Sequence, residues 1–415
     1  MVKEVVVVGG GIIGLCSAYY LHKEGHQVTV VDQSNMDAGA SYVNAGYLSP
    51  SHIVPLSAPG VMKQGLKWMF DPASPLYIKP RLDVDFIKWA YAFNKSCNSR
   101  HVQKAIPVIK EISLMSQELY NELKTSEGFG FQLEHKGLLM LCQTERMLEE
   151  EIHMAELAKK EGLEASEISL EELKSLEPKV KLNVIGGTYY TCDSHSTPYE
   201  FMTEMKTYLN KAGVTFLLNE KVEDVTLSGL KITQLHTSSQ SLKGDEFVLA
   251  AGAWSPLLSK KIGLSLLLQA GKGYCINTFR DTGIGIPTIL AESKVAVTPM
   301  NGFTRFAGTM EIAGINDAVN KVRSNAIANA VHQYYPNIRL IKPEIDDAAS
   351  GLRPVTPDGL PYIGKSSKCQ NLTIATGHAM MGWTMATGTG KLISELISGK
   401  QLSMSVSSFS PDRRY

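Results

Sequence analysis

The chain has 415 residues, more than one hydrophobic core usually supports, so two domains are expected. Forty-one basic residues against 41 acidic ones leave no net field, which argues against a nucleic-acid partner. A hydrophobic share of 44% and a charged share of 20% are those of a globular protein.

Val5–Val8 is a short β-branched run that predicts a central parallel strand buried on both faces. Glycines cut it after four residues, so it does not read as a signal segment. No window approaches the roughly 18 apolar residues of a membrane span. A cytoplasmic protein is expected, with at most peripheral contact on the inner face of the plasma membrane. Gly9-Gly10-Gly11-Ile12-Ile13-Gly14 follows and matches G-x-G-x-x-G. Leu15, Ala18, Tyr19 and Leu21 then fall at helical spacing up to Gly25, and Val28–Val31 is a second strand ending in Asp32. Gly9 permits the turn, Gly11 lets backbone approach a pyrophosphate, and Gly14 lets helix pack on strand. The helix N-terminus offers N–H groups to phosphate, and Asp32 can accept ribose hydroxyl protons. NAD and FAD are both open from this motif; the acid disfavours NADP.

Helices are predicted at Met62–Phe70, Phe86–Phe93 and 101–126, and strands on either side of Lys136-Gly137. Thr144–Lys160 reads as a surface helix whose acids form a solvated face, and Ser169 as the N-cap of a short helix. Thr197–Ala212 is helical and Val214–Leu218 a strand; Val222–Val225 with Ile232–His236 alternate as a hairpin would. Glu246–Ala250 is a further buried strand, running into Ala251, Gly252 and Trp254, so the chain returns to the nucleotide sheet after a long excursion. Strands at Gly273–Thr278 and Thr304–Glu311, a helix around 323–334, a strand at Asn371–Ala375 and a helix at Met385–Ile397 complete the reading. The tail after Val406 is expected to be poorly ordered. Six scattered cysteines without C-x-x-C spacing predict free thiols, and no metal site is expected.

Four stretches carry a resemblance: the opening strand, glycine loop and Asp32; Ser41–Pro50 with Ala58-Pro59-Gly60 and Leu66-Lys67-Trp68; Ala250–Ser255; and Gly351-Leu352-Arg353-Pro354 through Gly359, Pro361–Gly364, Gly377-His378 and Gly382-Trp383-Thr384-Met385. Together they resemble the D-amino-acid oxidase superfamily of flavoproteins, and within it the bacterial D-amino-acid dehydrogenases. The resemblance implies an α/β protein: a glutathione-reductase-type Rossmann FAD domain (1–47, 195–264 and 346–415) with an inserted, largely β-sheet substrate domain (48–194 and 265–345). It implies FAD along the sheet, contacted by Gly9, Gly11, Ile12, Ile13, Gly14, Asp32 and Gln33. Asn44, Ala45, Gly46, Val222, Ala251, Gly252 and Trp254 are further contacts it implies. Gly351, Arg353, Gly377, His378, Gly382, Trp383 and Thr384 close in the ring. Where relatives carry a flavin-linking histidine before the Ala-Gly pair, this chain has Asn44, and no cysteine lies between Cys275 and Cys369; non-covalent FAD is expected.

The resemblance further implies that Arg353 grips a substrate carboxylate, as a planar guanidinium does through two parallel hydrogen bonds. Tyr274, Thr309, Glu311 and His52 are candidate pocket residues; plain structural roles are the alternative for each. The implied reaction is oxidation of a carbon–nitrogen bond of an amino or imino acid, with hydride passing from the α-carbon to the flavin and the imine then hydrolysed to a 2-oxo acid and ammonia. Electrons would leave to a quinone or other acceptor. No lysine falls between Lys294 and Lys321, where some oxygen-using oxidases of the superfamily place one over the flavin, which favours a dehydrogenase. Trp68, Met69 and Phe70 with Leu56 and Val61 form an apolar cluster that can dock on a membrane or pack internally. An oxygen-using glycine- or sarcosine-type oxidase, a hydroxy-D-proline dehydrogenase and a flavin-binding protein without redox turnover are the competing readings.

Overall fold

Val5–Val8 are all buried at the centre of a six-stranded sheet. The computed structural model describes residues 1–61, 74–79, 81 and 83–415. The helix expected at Met62–Phe70, with Leu66-Lys67-Trp68 and the aromatic part of the apolar cluster, lies outside them. The sheet runs Thr215–Leu217, Gln27–Val31, Glu4–Val8, Glu246–Leu249, Cys369–Thr376, Tyr362–Ser366. The first five strands are parallel and the last is antiparallel. A parallel sheet needs cover on both faces. The helices Ile12–Lys23 and Ala386–Ser398 share one core with the sheet, and the antiparallel meander Val222–Ser228, Lys231–Thr237, Ser241–Leu242 packs into a second. The expected excursion and return at Glu246–Leu249 is present.

The long excursion builds a nine-stranded mixed sheet. Its path is Ala349–Val355, Gln269–Thr278, Phe303–Ile312, Val295–Met300, Thr288–Leu290, Leu138–Cys142, Gly186–Tyr190, Ser166–Ser169, with Leu76–Ile78 pairing in parallel beside Phe303–Ile312. Ala349–Val355, in the segment expected to return to the first sheet, hydrogen-bonds instead to Gln269–Thr278 of the second. The two strands around Lys136-Gly137 also part company. Leu133–Glu134 joins a small sheet with Tyr47–Leu48 and Ser194–Ser196, whereas Leu138–Cys142 enters the large one. All five residues of Leu138–Cys142 are buried, so that strand takes partners on both edges.

Elsewhere local signals set the elements. Ser169 and Glu172 form a capping box at Leu170–Leu176, Thr144 caps Glu145–Lys160, and Gly399 ends Ala386–Ser398 in a left-handed conformation. All six cysteines are free thiols. The tail is ordered, contrary to expectation: Phe409 is fully buried, and Arg413 binds Asp358 through Nε at 2.7 Å and Nη2 at 3.0 Å while stacking 4.0 Å over the Tyr362 ring. A buried aromatic and a two-pronged ion pair outweigh the entropy a polar composition suggested. Among the described residues no helix is long and apolar enough to cross a membrane.

The turn after the first strand is set by close approach. A Cβ on Gly14 would sit 1.8 Å from the Gly9 carbonyl oxygen and 3.4 Å from Val7 Cγ1. Gly14→Ala must therefore push helix from strand, and we expect a loss of about 1–3 kcal/mol, read as a lower denaturant midpoint. An unchanged midpoint would show that this spacing does not hold the two elements together.

Candidate active site

One cavity of about 1590 Å³ runs from the glycine turn into the second sheet, larger than the 300–1,000 Å³ of ordinary ligand clefts. At one end lie Gly9, Gly11, Ile12 and Ile13 with Asp32, Gln33, Val222, Ala251, Gly252 and Trp254. The helix Ile12–Lys23 begins here without a side-chain cap, so its N-terminus presents a positive dipole end to the cavity. Ser41 Oγ accepts from Ile12 N at 3.0 Å. Asp32 is on the wall, but its oxygens already accept from Gly10 N (2.7 Å), Ser34 N (2.8 Å) and Ser34 Oγ (2.7 Å). The carboxylate braces the glycine turn against the second strand, leaving about one of its four acceptor sites for a ligand.

The middle of the cavity is walled by Asn44 and Ala45 on one side and by Gly351, His378, Gly382, Trp383 and Thr384 on the other. Buried Arg305 fixes the Asn44–Gly46 loop, donating from Nη1 to the carbonyls of Tyr42 and Asn44 at 2.7 Å each, and Thr298 Oγ1 donates to the Ala45 carbonyl at 2.8 Å. Asn44 Oδ1 accepts from Gly46 N at 2.8 Å. Thr384 Oγ1 donates to the Tyr47 carbonyl at 3.0 Å, tying the C-terminal wall to the same loop. Trp383 is buried and donates to Ser196 Oγ at 2.9 Å. His378 Nε2 bonds Thr389 Oγ1 at 2.9 Å, while its Nδ1 is buried with no partner among the described residues. Burial holds its pKa down to about 3, so the ring is neutral.

At the far end stands Arg353. Its guanidinium lies deep in the protein yet open to the cavity, and Nη1 donates to the Thr309 carbonyl at 3.0 Å. Among the described residues no carboxylate pairs with it. Desolvation, with a smaller push from the Arg323 charge, lowers its pKa to about 10, so it stays cationic at neutral pH. Room for it comes from Gly273, where a Cβ would lie 2.2 Å from the guanidinium carbon and both terminal nitrogens. Opposite Gly273 the register slips: Lys272 faces Glu311, but Tyr274 faces Gly308. This bulge holds Thr309 at φ 58° and turns its carbonyl to Arg353. Tyr274 is on the wall and donates to Glu311 Oε2 at 2.7 Å; Glu311, expected in the pocket, is not on the wall. Thr309 acts through its carbonyl, and its hydroxyl accepts from Arg323 Nε at 3.3 Å.

The family model for FAD dependent oxidoreductases matches residues 4–396. The chain belongs to that family. A D-amino acid dehydrogenase of Vibrio vulnificus is 34% identical over 409 residues, covering 96% of each chain, and one of Paramagnetospirillum magneticum is 31% identical over 421 residues, covering 99% of this chain and 98% of the relative. Among solved structures, glycine oxidase from Geobacillus kaustophilus superposes with a TM-score of 0.80 at 21% identity over 100% of this chain and 99% of that one. L-proline dehydrogenase from P. horikoshii does so with a TM-score of 0.74 at 20% identity over 99% and 97%. The expected fold class is confirmed by these likenesses.

The residues present fit the family's FAD. A long cavity joins a helix N-terminus to a loop-walled middle, and His378 Nδ1 and Arg353, without a partner and without a counter-ion respectively among the described residues, are polar groups of the kind a ligand satisfies. Gly14, Gly46 and Gly377, expected as contacts, are off the wall; Gly14 lies behind the turn, and the Gly46 carbonyl accepts from Ser196 N at 2.8 Å. Sequence reasoning missed Ser41, which sits in a recognised stretch, and Arg305, for which no local signal exists. In Glu145–Lys160 the expected solvated face holds for Glu145, Glu149 and Glu156, which are exposed, and fails for Glu151. Glu150, Glu151, His153 and Met154 of that helix line the cavity, and Glu151 is buried against Lys294 Nζ at 3.5 Å. The four lie on successive turns and so look from sequence like a solvated face. Lys294, at the edge of the lysine-free stretch, is itself on the wall.

Gly273→Ala should displace the Arg353 guanidinium while leaving flavin in place. Loss of a charged hydrogen-bonded contact of about 1.5–3 kcal/mol predicts a KM about 10–100-fold higher for a carboxylate substrate. KM and bound flavin measured side by side check this; an unchanged KM would remove Arg353 as the carboxylate's partner.

Proposed function

We propose that this oxidoreductase oxidises the carbon–nitrogen bond of a D-amino or D-imino acid, giving an imine and then a 2-oxo acid plus ammonia, and passes the electrons to a quinone-type acceptor. The observation that carries this is Arg353: a cation with one backbone bond, no counter-ion among the described residues and an open face toward the cavity. A buried charge is costly unless paired, and a substrate carboxylate supplies the pair. When bound, the flavin supplies the hydride acceptor. The chain's own groups bind and orient: Arg353 grips the carboxylate, and the Thr309 carbonyl and Gly273 set the plane of the guanidinium. Tyr274, anchored on Glu311, fills the wall beside it. The D configuration is supported by the relatives in Vibrio and Paramagnetospirillum.

The FAD unit in this reading comprises 1–47, 195–264 and 346–415, with Ala349–Val355 reaching across to carry Arg353 over the substrate. The flavin is held without a covalent bond, since Asn44 stands before Ala45-Gly46. Peripheral contact with a membrane, where a quinone resides, is supported by Val84, Ile87 and Tyr91, apolar residues exposed on one stripe of the helix Val84–Ser96.

Anaerobic bleaching of the flavin band by a panel of D- and L-amino acids, prolines and N-methyl glycines, followed by air, tests the substrate and the acceptor together. We expect bleaching by D-substrates at least about 10²-fold faster than by their mirror images, and slow recovery in air. Fast recovery would make the enzyme an oxidase; bleaching by glycine or sarcosine alone would replace the substrate class. Acid precipitation should leave the flavin in the supernatant, and flavin in the pellet would refute non-covalent binding.

A further inference from the structure

The loop 52–58 crosses the cavity with alternate residues, His52, Val54, Leu56 and Ala58, on its wall. Behind His52 the structure holds a chain of hydrogen bonds that the carboxylate-binding end does not use. Asp193 is fully buried in the turn before the strand Ser194–Ser196. Its Oδ2 is 2.6 Å from Ser51 Oγ, its Oδ1 accepts from Ser51 N at 3.1 Å, and Ser51 Oγ lies 3.2 Å from His52 Nδ1. His52 Nε2 has no partner among the described residues. We propose that Asp193, Ser51 and His52 form a proton relay that opens on the cavity at His52 Nε2 and removes the proton of the substrate ammonium. This inference deepens the amino-acid oxidation proposed above and rests on that reading for its substrate.

The donor count leaves two states. With Asp193 ionised, the single Ser51 hydroxyl proton goes to Asp193, so His52 must donate from Nδ1–H to Ser51 Oγ and presents Nε2 as a bare acceptor. With Asp193 protonated, Asp193 donates to Ser51, Ser51 donates to His52 Nδ1, and Nε2 carries the hydrogen. Moving between them, an N–H bond of the substrate ammonium breaks and an Nε2–H bond forms. The Nδ1 proton passes to Ser51 Oγ, and the Ser51 proton passes to Asp193 Oδ2. One proton leaves the substrate and one ends on Asp193; nothing is oxidised or reduced. The amine is left with the free lone pair that C–N oxidation requires. After product release the reverse sequence returns the proton to solvent.

Two features of the surroundings suit this path. Burial, opposed by the bonds from Ser51 and Cys192, raises Asp193 to about 7, so it exchanges its proton near neutrality. Burial first, and the Lys294 charge second, lowers His52 to about 4, so the ring changes tautomer without holding a charge. The ionisable neighbours of Asp193 are the Cys192 thiol, 3.6 Å from Oδ1, and the Tyr190 phenol; both are pushed up by burial and stay neutral. On the cavity side His52 faces Lys294, whose charge is matched by Glu151. No cation pairs with Asp193 among the described residues.

The test is the pH dependence of anaerobic flavin reduction in wild type, Ser51→Ala, Ser51→Thr and Asp193→Asn. A base works when deprotonated, so wild-type reduction should rise with pH through about 7. Ser51→Ala and Asp193→Asn should lose that limb, run about 10²-fold slower at neutral pH, and rise only with the substrate ammonium's own ionisation at higher pH. Ser51→Thr, which keeps the hydroxyl, should restore it. A uniform slowing at every pH, or an unchanged limb in Ser51→Ala, would overturn the relay. A second readout needs no turnover: in the holoenzyme, nitrogen-15 NMR of His52 should show its proton on Nε2 below pH about 7 and on Nδ1 above it, with no such switch in Asp193→Asn. A fixed tautomer in wild type would overturn the relay even if substrate reduces the flavin. A clean switch in an enzyme that no amino acid reduces would overturn the substrate reading and leave the relay standing.

Discussion

A guanidinium taken out of water with no carboxylate beside it among the described residues is the constraint around which the second sheet is built. Desolvating such a cation costs several kcal/mol, and the described residues return little of it: one bond to the Thr309 carbonyl. That bond goes with Thr309 at positive φ in the bulge between Gly308 and Glu311, and the guanidinium itself needs a residue without a side chain at Gly273. Each of these is unfavourable alone. Thr309 is not glycine, the bulge interrupts a ladder, and a mid-strand glycine weakens a strand. Their common product is an electrostatic deficit facing the cavity, and only an anion relieves it. Strain of this kind persists where the surrounding structure over-determines it, and here buried Arg323 ties the bulge to the carbonyls of Ser74 and Met310 at 3.0 Å each.

The first sheet was legible because its information is local. Four β-branched residues, a glycine turn, a helix and an acid lie within one short stretch, and each has a physical meaning at fixed spacing. The meander Val222–Thr237 and the return strand Glu246–Leu249 announce themselves in the same way. The second sheet hides its order in pairings far apart in the chain. Gly186–Tyr190 and Thr288–Leu290 are short, and nothing near either says that both flank Leu138–Cys142. Leu133–Glu134 and Leu138–Cys142 sit around a plausible turn, yet go to separate sheets because the second is buried on both edges. The tail was misjudged for a similar reason: Ser and Arg composition suggests disorder, but composition does not see the Asp358 carboxylate waiting for Arg413.

The candidate site divides along the same line. Arg353, Gly351, His378 and Thr384 were named on a family resemblance, and the cavity collects them. Asp32 was named on spacing and is on the wall, but its carboxylate also braces the turn through Gly10 and Ser34, a job that spacing cannot reveal. Glu311 alternates correctly for a wall residue only if its strand is regular; the bulge at Thr309 shifts the alternation and places Glu311 behind Tyr274. Glu151 illustrates the reverse error. A run of acids on a helix reads as a solvated face, and only the position of Lys294 across the cavity turns one of them inward.

Arg353 and His52, both on the cavity wall, stand in different electrostatic surroundings, and the difference bears on how one site can both bind and react. At the Arg353 end a fixed charge is left uncompensated, so the group that arrives must bring the counter-charge and is oriented by doing so. Around His52 three groups are matched or suppressed: Lys294 by Glu151, the imidazole by burial, and Asp193 by the two bonds from Ser51. In the proposed reading a zwitterionic amino acid gives its carboxylate to Arg353 and its ammonium proton to the acceptor at His52 Nε2. On that reading the first contact holds the substrate, and the second takes the proton that leaves the nitrogen lone pair free. Binding at the guanidinium is then joined, in the same reading, to loss of a proton elsewhere on the same small molecule, which is the ground-state change that oxidation of a C–N bond needs.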